Sequence, residues 1–173
     1  MDKIVDRLTD KRNVSDKELI RLIDEEYDEK YLFAAADSVR RKYYGDGVYL
    51  RGLIEVSNHC KNNCYYCGIR CGNAKAVRYR LTEEEILSCC DNGYRLGFRT
   101  FVMQGGEDAY YTDERMCRII KSIKEKYPDC AITLSLGERS ESSFKKMFDA
   151  GADRYLLRHE TADYAHYSRL HPS

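Results

Sequence analysis

From Val48 onward the sequence alternates short apolar segments with longer amphipathic ones, and this alternation restricts the fold more than any other feature. It is typical of βα units that build a parallel sheet. Strands are predicted at residues 49–57, 100–104, 131–136 and 154–158, where Val, Ile, Leu and Tyr are frequent. We therefore expect an α/β fold, a partial TIM-like (β/α) barrel of about four βα units.

Helices are predicted between these strands, at residues 82–96, 112–127 and 141–150, with a fourth beginning near Thr161. Thr82 and Glu85 have the spacing of a capping box, and Gly151 is a helix stop. The first 45 residues also have a helical pattern, with a cap at Ser15 or Asp16 and an end near Gly45. We expect residues 1–46 to form a helical segment and residues 47–173 to form the N-terminal half of a longer barrel, in a truncated chain.

Composition narrows the classes of function. The number of Lys and Arg residues equals the number of Asp and Glu residues, at 29 each, so the chain has no net charge that would attract nucleic acid or an anionic membrane. No apolar run approaches the roughly 20 residues that span a bilayer, and the first residues lack a signal-peptide core. We expect a cytoplasmic protein. Its eight cysteines are then more typical of metal ligation or catalysis than of disulfides.

Cys60, Cys64 and Cys67 form the run CxxxCxxC directly after the first predicted strand. Thiolates are the ligands of iron-sulfur clusters, and three of them in one short loop can surround a single cubane. A cubane has four irons, so three cysteines leave one iron open to another ligand. The spacing therefore favours a catalytic cluster, with these three cysteines as the metal ligands.

Cys71 keeps an alternative open, because four cysteines in one loop could instead close a structural metal site. Zinc sites usually join two cysteine pairs a dozen or more residues apart, and a ferredoxin run continues into proline, where Gly72 stands here. Neither template matches the sequence. The other cysteines fall on predicted helices or just before a strand and receive no role, and the four histidines show no metal-ligand spacing, so only His159 is kept as a weak candidate.

Polar or glycine-rich segments follow every predicted strand, where the active sites of βα barrels lie. Alternation predicts inward-facing pairs on three strands: Thr133 with Ser135, Arg158 with Glu160, and Arg51 with Glu55. Simpler explanations remain open at two of these places. Glu107 and Asp108 could be carboxylates at a helix start, and Arg158 with Glu160 could be an internal salt bridge.

The cysteine run with Tyr66 before its last cysteine resembles the signature of the radical S-adenosylmethionine (SAM) superfamily. Within it, the chain is most similar to the HydE group of [FeFe]-hydrogenase maturases, in the segments 51–58, 104–108, 133–138 and 154–162. The biotin synthase-like relatives, including methylornithine synthase, share the cluster loop and less of the later segments. The resemblance runs from about Leu32 to the end of the chain.

The resemblance implies a TIM-like barrel that binds a [4Fe-4S] cluster and S-adenosylmethionine. It places Tyr66 against the adenine of SAM and the segment Gln104, Gly105, Gly106 and Glu107 at its amino group. Glu160 is a further expected SAM contact. By the same resemblance, four residues are expected to line the substrate cavity: Arg51, Thr133, Ser135 and Arg158.

The resemblance also implies an enzyme that cleaves SAM reductively to a 5'-deoxyadenosyl radical during maturation of the hydrogenase H-cluster. Its expected partners are a small-molecule or iron-complex substrate, a reductant such as ferredoxin or flavodoxin, and the other hydrogenase maturases, without nucleic acid or membrane. A methylornithine synthase-like or biotin synthase-like activity is the alternative. Members of the group are about twice as long as this chain.

Overall fold

The computed structural model describes residues 2–24 and 28–172. It divides into two compact units, Met1–Tyr49 and Leu50–Ser173. Residues 25–27, which the prediction of a helical N-terminal segment includes, lie outside the described residues. No described helix is long and apolar enough to cross a membrane.

The first unit is helical, as predicted, with α1 at Asp2–Lys11, α2 at Asp16–Asp24 and α3 at Glu29–Tyr44. Ser15 caps the start of α2. Its hydroxyl accepts a hydrogen bond from the backbone N–H of Glu18, and the Glu18 carboxylate accepts a hydrogen bond from the backbone N–H of Ser15. Gly45 ends α3 with φ 61°, a conformation that glycine adopts without strain. A small core, Ile4, Val5 and Leu22, joins these helices.

The second unit is a parallel sheet in the order β1-β2-β3-β4, and it confirms the α/β fold class. Its strands are β1 at Gly52–Ser57, β2 at Thr100–Gly105, β3 at Ala131–Ser135 and β4 at Arg154–Tyr155. The helices are α4 at Glu83–Arg95, α5 at Asp113–Lys126, α6 at Glu141–Asp149 and α7 at Tyr164–Leu170. The capping box of Thr82 and Glu85 is present at the start of α4.

Two predicted strands are too long. The first begins at Gly52 rather than at residue 49, since its ladder with β2 starts at the pair Gly52–Phe101. The fourth ends at Tyr155 rather than at residue 158, so Arg158 and Glu160 lie beyond the strand and the prediction that they share a strand face is wrong. The ladder between β3 and β4 holds only the pairs Thr133–Arg154 and Leu134–Tyr155, and Gly137 turns the chain soon after β3 with φ 77°.

The two faces of the sheet differ in chemistry. One face packs on the helices through a fully buried apolar set: Ile54, Val56, Phe101, Met103, Ile132 and Leu134 against Ile86, Met116, Ile120 and Met147. The opposite face carries two rows of side chains that are in register across the strands. One row is Glu55, Gln104 and Ser135, and the other is Leu53, Val102, Thr133 and Arg154. This second face lines the inside of the barrel segment.

Candidate active site

The cysteine loop, residues 58–79, connects β1 to α4 and begins at the carboxyl end of β1. Cys60, Cys64 and Cys67 are free and half-buried, whereas Cys71 is exposed. Burial raises the pKa of the Cys64 thiol, and the neighbouring Cys60 and Cys67 raise it further. A metal that binds the Cys64 sulfur must therefore displace its proton, as thiolate ligation requires.

The cysteine ligands of a cubane surround a larger body than a single ion, because each thiolate binds a different iron. Within residues 2–24 and 28–172, no three His, Cys, Asp or Glu side chains are grouped so that they could hold a single ion.

Arg78 holds the irregular backbone of the cysteine loop together. Its guanidinium donates to the carbonyl oxygens of Asn58, Ile69 at 2.8 Å, Arg70 at 2.7 Å and Asn73 at 3.3 Å. A loop without helix or strand leaves carbonyls that need partners, and the planar fork of arginine can serve several at once. One side chain therefore fixes both ends of the segment that carries the three cysteines.

The segment after β2 packs directly on the cysteine loop. A Cβ on Gly106 would lie 2.3 Å from the carbonyl oxygen of His59 and 2.6 Å from the Cβ of Cys60, so only glycine fits there. Lys61 ties the two segments twice, through its backbone N–H to the Glu107 carbonyl at 3.0 Å and through its ammonium to the Glu107 carboxylate at 2.9 Å. The Gly105–Gly106 edge thus borders the first cysteine.

Glu107 also reaches the segment after β3. Its carboxylate accepts a hydrogen bond from the backbone N–H of Glu138 at 3.1 Å, and its side chain fills the space that a Cβ on Gly137 would occupy. Burial raises the pKa of Glu107, but the Glu138 N–H and the Lys61 ammonium outweigh burial and bring it below its usual range. Glu107 is therefore an ionised carboxylate beside the cysteine loop.

Asp108 is structural. Its buried carboxylate accepts a two-pronged pair from Arg80, with Nε at 2.7 Å and Nη2 at 2.9 Å, and a hydrogen bond from the Ser57 hydroxyl at 2.7 Å. Burial raises the pKa of Asp108, but Arg80, Ser57 and the backbone N–H of Tyr110 overcome that effect and lower it to about 2. The Ser57 hydroxyl in turn accepts from the His59 N–H at 3.0 Å, which connects this network to the start of the cysteine loop.

Glu160 lies in a tight turn after β4, with φ 60° and a hydrogen bond from the Thr161 N–H to the His159 carbonyl at 2.8 Å. A positive φ is unfavourable for glutamate, and such strain concentrates at functional positions. Desolvation raises the pKa of Tyr66 to about 12, and the negative charges of Glu160, Cys64 and Cys67 contribute. The turn therefore lies within electrostatic reach of the cysteine loop, with Tyr66 neutral.

The predicted cavity residues are only partly brought together. Thr133 and Ser135 are buried on the inner face of β3, and the Thr133 hydroxyl is a buried polar group without a hydrogen-bond partner. Arg158 is exposed beyond β4. Arg51 precedes β1, so the length of that strand, roughly 20 Å, separates it from the cysteine loop.

Sequence reasoning missed three residues of this region. Arg154 is in register with Thr133 on the inner face, a position that two-residue alternation within the predicted strand could have suggested. Arg78 serves carbonyl groups, and no side-chain pattern marks a residue with that role. His171 contacts Tyr66 from a distant part of the chain, and the search for histidines at metal-ligand spacing could not find such a contact.

A family model described as the radical SAM superfamily matches residues 54–172, the part of the chain that contains the cysteine loop, most of β1 and the other three strands. The chain belongs to the radical SAM superfamily. It is therefore a member of a family of enzymes that use a [4Fe-4S] cluster and S-adenosylmethionine. Its three free thiols in one loop and the side-chain-free Gly105–Gly106 edge fit a cluster with one open iron, as radical SAM chemistry requires.

Among curated proteins, the chain is 46% identical to the [FeFe] hydrogenase maturase subunit HydE of Thermotoga maritima, covering 90% of this chain and 44% of the relative. It is 31% identical to 3-methylornithine synthase of Methanosarcina acetivorans, covering 98% and 49%. The crystal structure of methylornithine synthase (PylB) matches with a TM-score of 0.85 at 32% identity, covering 98% of this chain and 51% of that one. The chain thus spans about half the length of the relatives it matches.

Replacement of Arg78 by lysine should loosen the cysteine loop, because an ammonium cannot bridge the carbonyls that the guanidinium serves. We expect trypsin to cleave after Arg70 and Lys75 in the cluster-free protein roughly tenfold faster than in the wild type, as the loss of one or two hydrogen bonds would allow. Mass spectrometry of timed digests measures this. Arg118→Lys is the matched control, since Arg118 makes an exposed ion pair with Glu83 on α5 and α4. Equal cleavage of the two variants would contradict the role given to Arg78.

The Asp108 network should make stability depend on pH. The folded pKa of about 2 lies below the 3.8 of an unperturbed aspartate, so the ionised carboxylate stabilises the fold by about 2 kcal/mol above pH 4, and this contribution is lost as the pH falls from 4 toward 2. Asp108→Asn should remove it. Urea unfolding from pH 7 to pH 3 should show the gap between wild type and variant narrowing below pH 4. A gap that is the same at every pH would argue against this network.

Proposed function

We propose that this chain is the cluster-bearing half of a HydE-type maturase, which cleaves SAM reductively and acts in the assembly of the [FeFe]-hydrogenase H-cluster. The observation that supports it best is the contact of the glycine edge at Gly106 with Cys60, since it joins the expected SAM segment to the expected cluster loop. The 46% identity to a HydE protein favours this group over its relatives.

In this proposal, Cys60, Cys64 and Cys67 bind three irons of the cluster. The backbone from Gln104 to Gly106 and the ionised Glu107 receive the amino group of SAM, because a carboxylate held below its usual pKa attracts an ammonium. Lys61 and the Glu138 N–H already bind this carboxylate, so they orient it toward the cysteine loop. Glu160 is a further SAM contact.

When bound, SAM would supply a 5'-deoxyadenosyl radical, with methionine as the other fragment, after one-electron reduction. The inner face of the sheet would hold the substrate. The Thr133 hydroxyl has no hydrogen-bond partner, so it could bind a polar group of the substrate. Ser135 lies two residues further along β3, nearer to the cysteine loop. Arg154, with Arg51 and Arg158 farther out, would give this cavity a cationic wall suited to an anionic substrate, such as an iron complex with anionic ligands.

A methylornithine synthase-like activity is the second candidate. The structural match to PylB at 32% identity supports it, because that match covers 98% of this chain. A biotin synthase of Macrococcus caseolyticus is less similar, at 29% identity over 94% of the chain. The two leading candidates differ in the substrate placed over Thr133 and Ser135 and share the cluster and SAM.

The remaining partners follow from this function. A low-potential reductant such as ferredoxin or flavodoxin would donate the electron, and other hydrogenase maturases would use the product. We place the protein in the cytoplasm, where such reductants are found.

Reduction of the anaerobically reconstituted protein in the presence of SAM should yield 5'-deoxyadenosine and methionine in equal amounts. Cys64→Ser should reduce the yield at least a hundredfold, because a cubane with two thiolate ligands is not retained. Cys71→Ser is the matched control in the same loop and should leave the yield unchanged. Chromatography of both products measures the outcome, and loss of iron in Cys71→Ser would instead support a closed four-cysteine site.

The maturation step is tested separately, by adding the protein to a hydrogenase maturation mixture that lacks HydE. Recovery of hydrogen evolution supports the HydE-type function. Formation of 3-methylornithine, with no recovery of hydrogenase, would support the second candidate.

A further inference from the structure

The end of α7 is attached to the cysteine loop beside Cys64 and Cys67. The backbone N–H of Tyr65 donates to the Leu170 carbonyl at 3.0 Å. The Tyr66 hydroxyl lies 2.6 Å from Nε2 of His171, and the two rings meet edge to face with centroids 5.3 Å apart. The aromatic residue of the cluster motif is therefore in contact with a histidine 105 positions away along the chain.

The second ring nitrogen of His171 determines the direction of this hydrogen bond. Nδ1 lies 2.8 Å from the Tyr167 carbonyl oxygen, which can only accept, so Nδ1 carries the proton. In the neutral ring Nε2 is then the acceptor, and the Tyr66 hydroxyl donates to it. The imidazole also stacks on the Tyr167 ring, with centroids 3.9 Å apart and planes inclined by 17°. His171 is thus held rigidly as an acceptor.

Tyr66 depends on this acceptor for its orientation. The residue is 54% exposed, so packing restrains its ring only in part. Among the described residues, the one hydrogen bond of its hydroxyl is the bond to His171. An exposed ring on a loop is positioned well only when a second group fixes its rotamer. The bond to His171 provides that restraint.

We propose that His171 is a positioning residue, which holds the ring of Tyr66 where it contacts the adenine of SAM; this inference rests on the proposed function. The helix that ends at His171, α7, begins four residues after Glu160, the other expected SAM contact on this side. α7 has seven residues and spans roughly 10 Å, so it acts as a short rigid link between the Glu160 turn and the Tyr66 ring. Two SAM contacts are then set by one helix.

The hydrogen bond itself can be tested in the cluster-free protein. With four histidines in the chain, long-range proton–nitrogen NMR can assign each imidazole. We expect His171 in the Nδ1–H form, with its Nε2 resonance displaced when Tyr66 is replaced by phenylalanine. An Nε2–H form, or an Nε2 resonance that Tyr66→Phe leaves in place, would overturn the inference whatever the protein binds.

The consequence for SAM is tested by a double-mutant cycle on the reconstituted protein. His171→Ala and Tyr66→Phe should each weaken SAM binding roughly three- to tenfold, as the loss of one hydrogen bond predicts, with iron content unchanged. The double variant should be no weaker than either single variant, because both remove the same bond. His171→Gln, whose amide oxygen can accept from Tyr66, should restore binding to within about twofold.

His166→Ala is the matched control, since His166 lies on the same helix and its side chain is exposed. Unchanged SAM affinity in His171→Ala and Tyr66→Phe, with a wild type that binds SAM, would overturn this inference alone. Additive losses in the double variant would also overturn it. A wild type that builds no SAM-binding cluster would overturn the proposed function, and this inference with it.

Discussion

The cysteine loop is a long irregular segment, and its backbone carbonyls must find partners for it to hold any fixed shape. Arg78 supplies those partners by donating to four carbonyls, one before the three cysteines and three after them. The loop is then anchored to its surroundings at three places: to β1 through Ser57, to the end of β2 through Lys61, and to the end of α7 through Tyr65 and Tyr66. Every expected cofactor contact depends on this anchored loop.

The parallel sheet brings chemically different segments to the same loop. The carboxyl ends of β1, β2 and β3 lie at one edge, so the cysteines, the Gly105–Gly106 edge and Gly137 become neighbours although long helices separate them in sequence. Glu107 is central because it touches both flanking segments, with Lys61 on one side and the Glu138 N–H on the other. Its ionised carboxylate places negative charge where an ammonium group would be expected to bind.

Local signals in the sequence predicted what local interactions determine. The capping box at Thr82 and the Val/Ile/Leu-rich strands located α4 to α6 and the sheet closely, and two-residue alternation placed Thr133 and Ser135 on one face. Strand ends were less predictable, because the apolar pattern of the sequence continues beyond the first residue of β1 and the last residue of β4. The contacts of Arg78, Asp108 and His171 join distant segments, and no spacing in the sequence encodes such contacts. The cysteine motif could be identified from the sequence because its ligand chemistry depends on the local spacing of the cysteines.

The central claim is that Cys60, Cys64 and Cys67 hold a cluster whose fourth iron is open to SAM. Electron paramagnetic resonance of the reconstituted, reduced protein tests it most directly, because ligation by SAM changes the electronic environment of that iron. We predict the spectrum of a reduced [4Fe-4S] cluster in wild type and in Cys71→Ser, displaced in both on addition of SAM. A cluster spectrum that SAM leaves unchanged, or one that disappears in Cys71→Ser, would contradict the account.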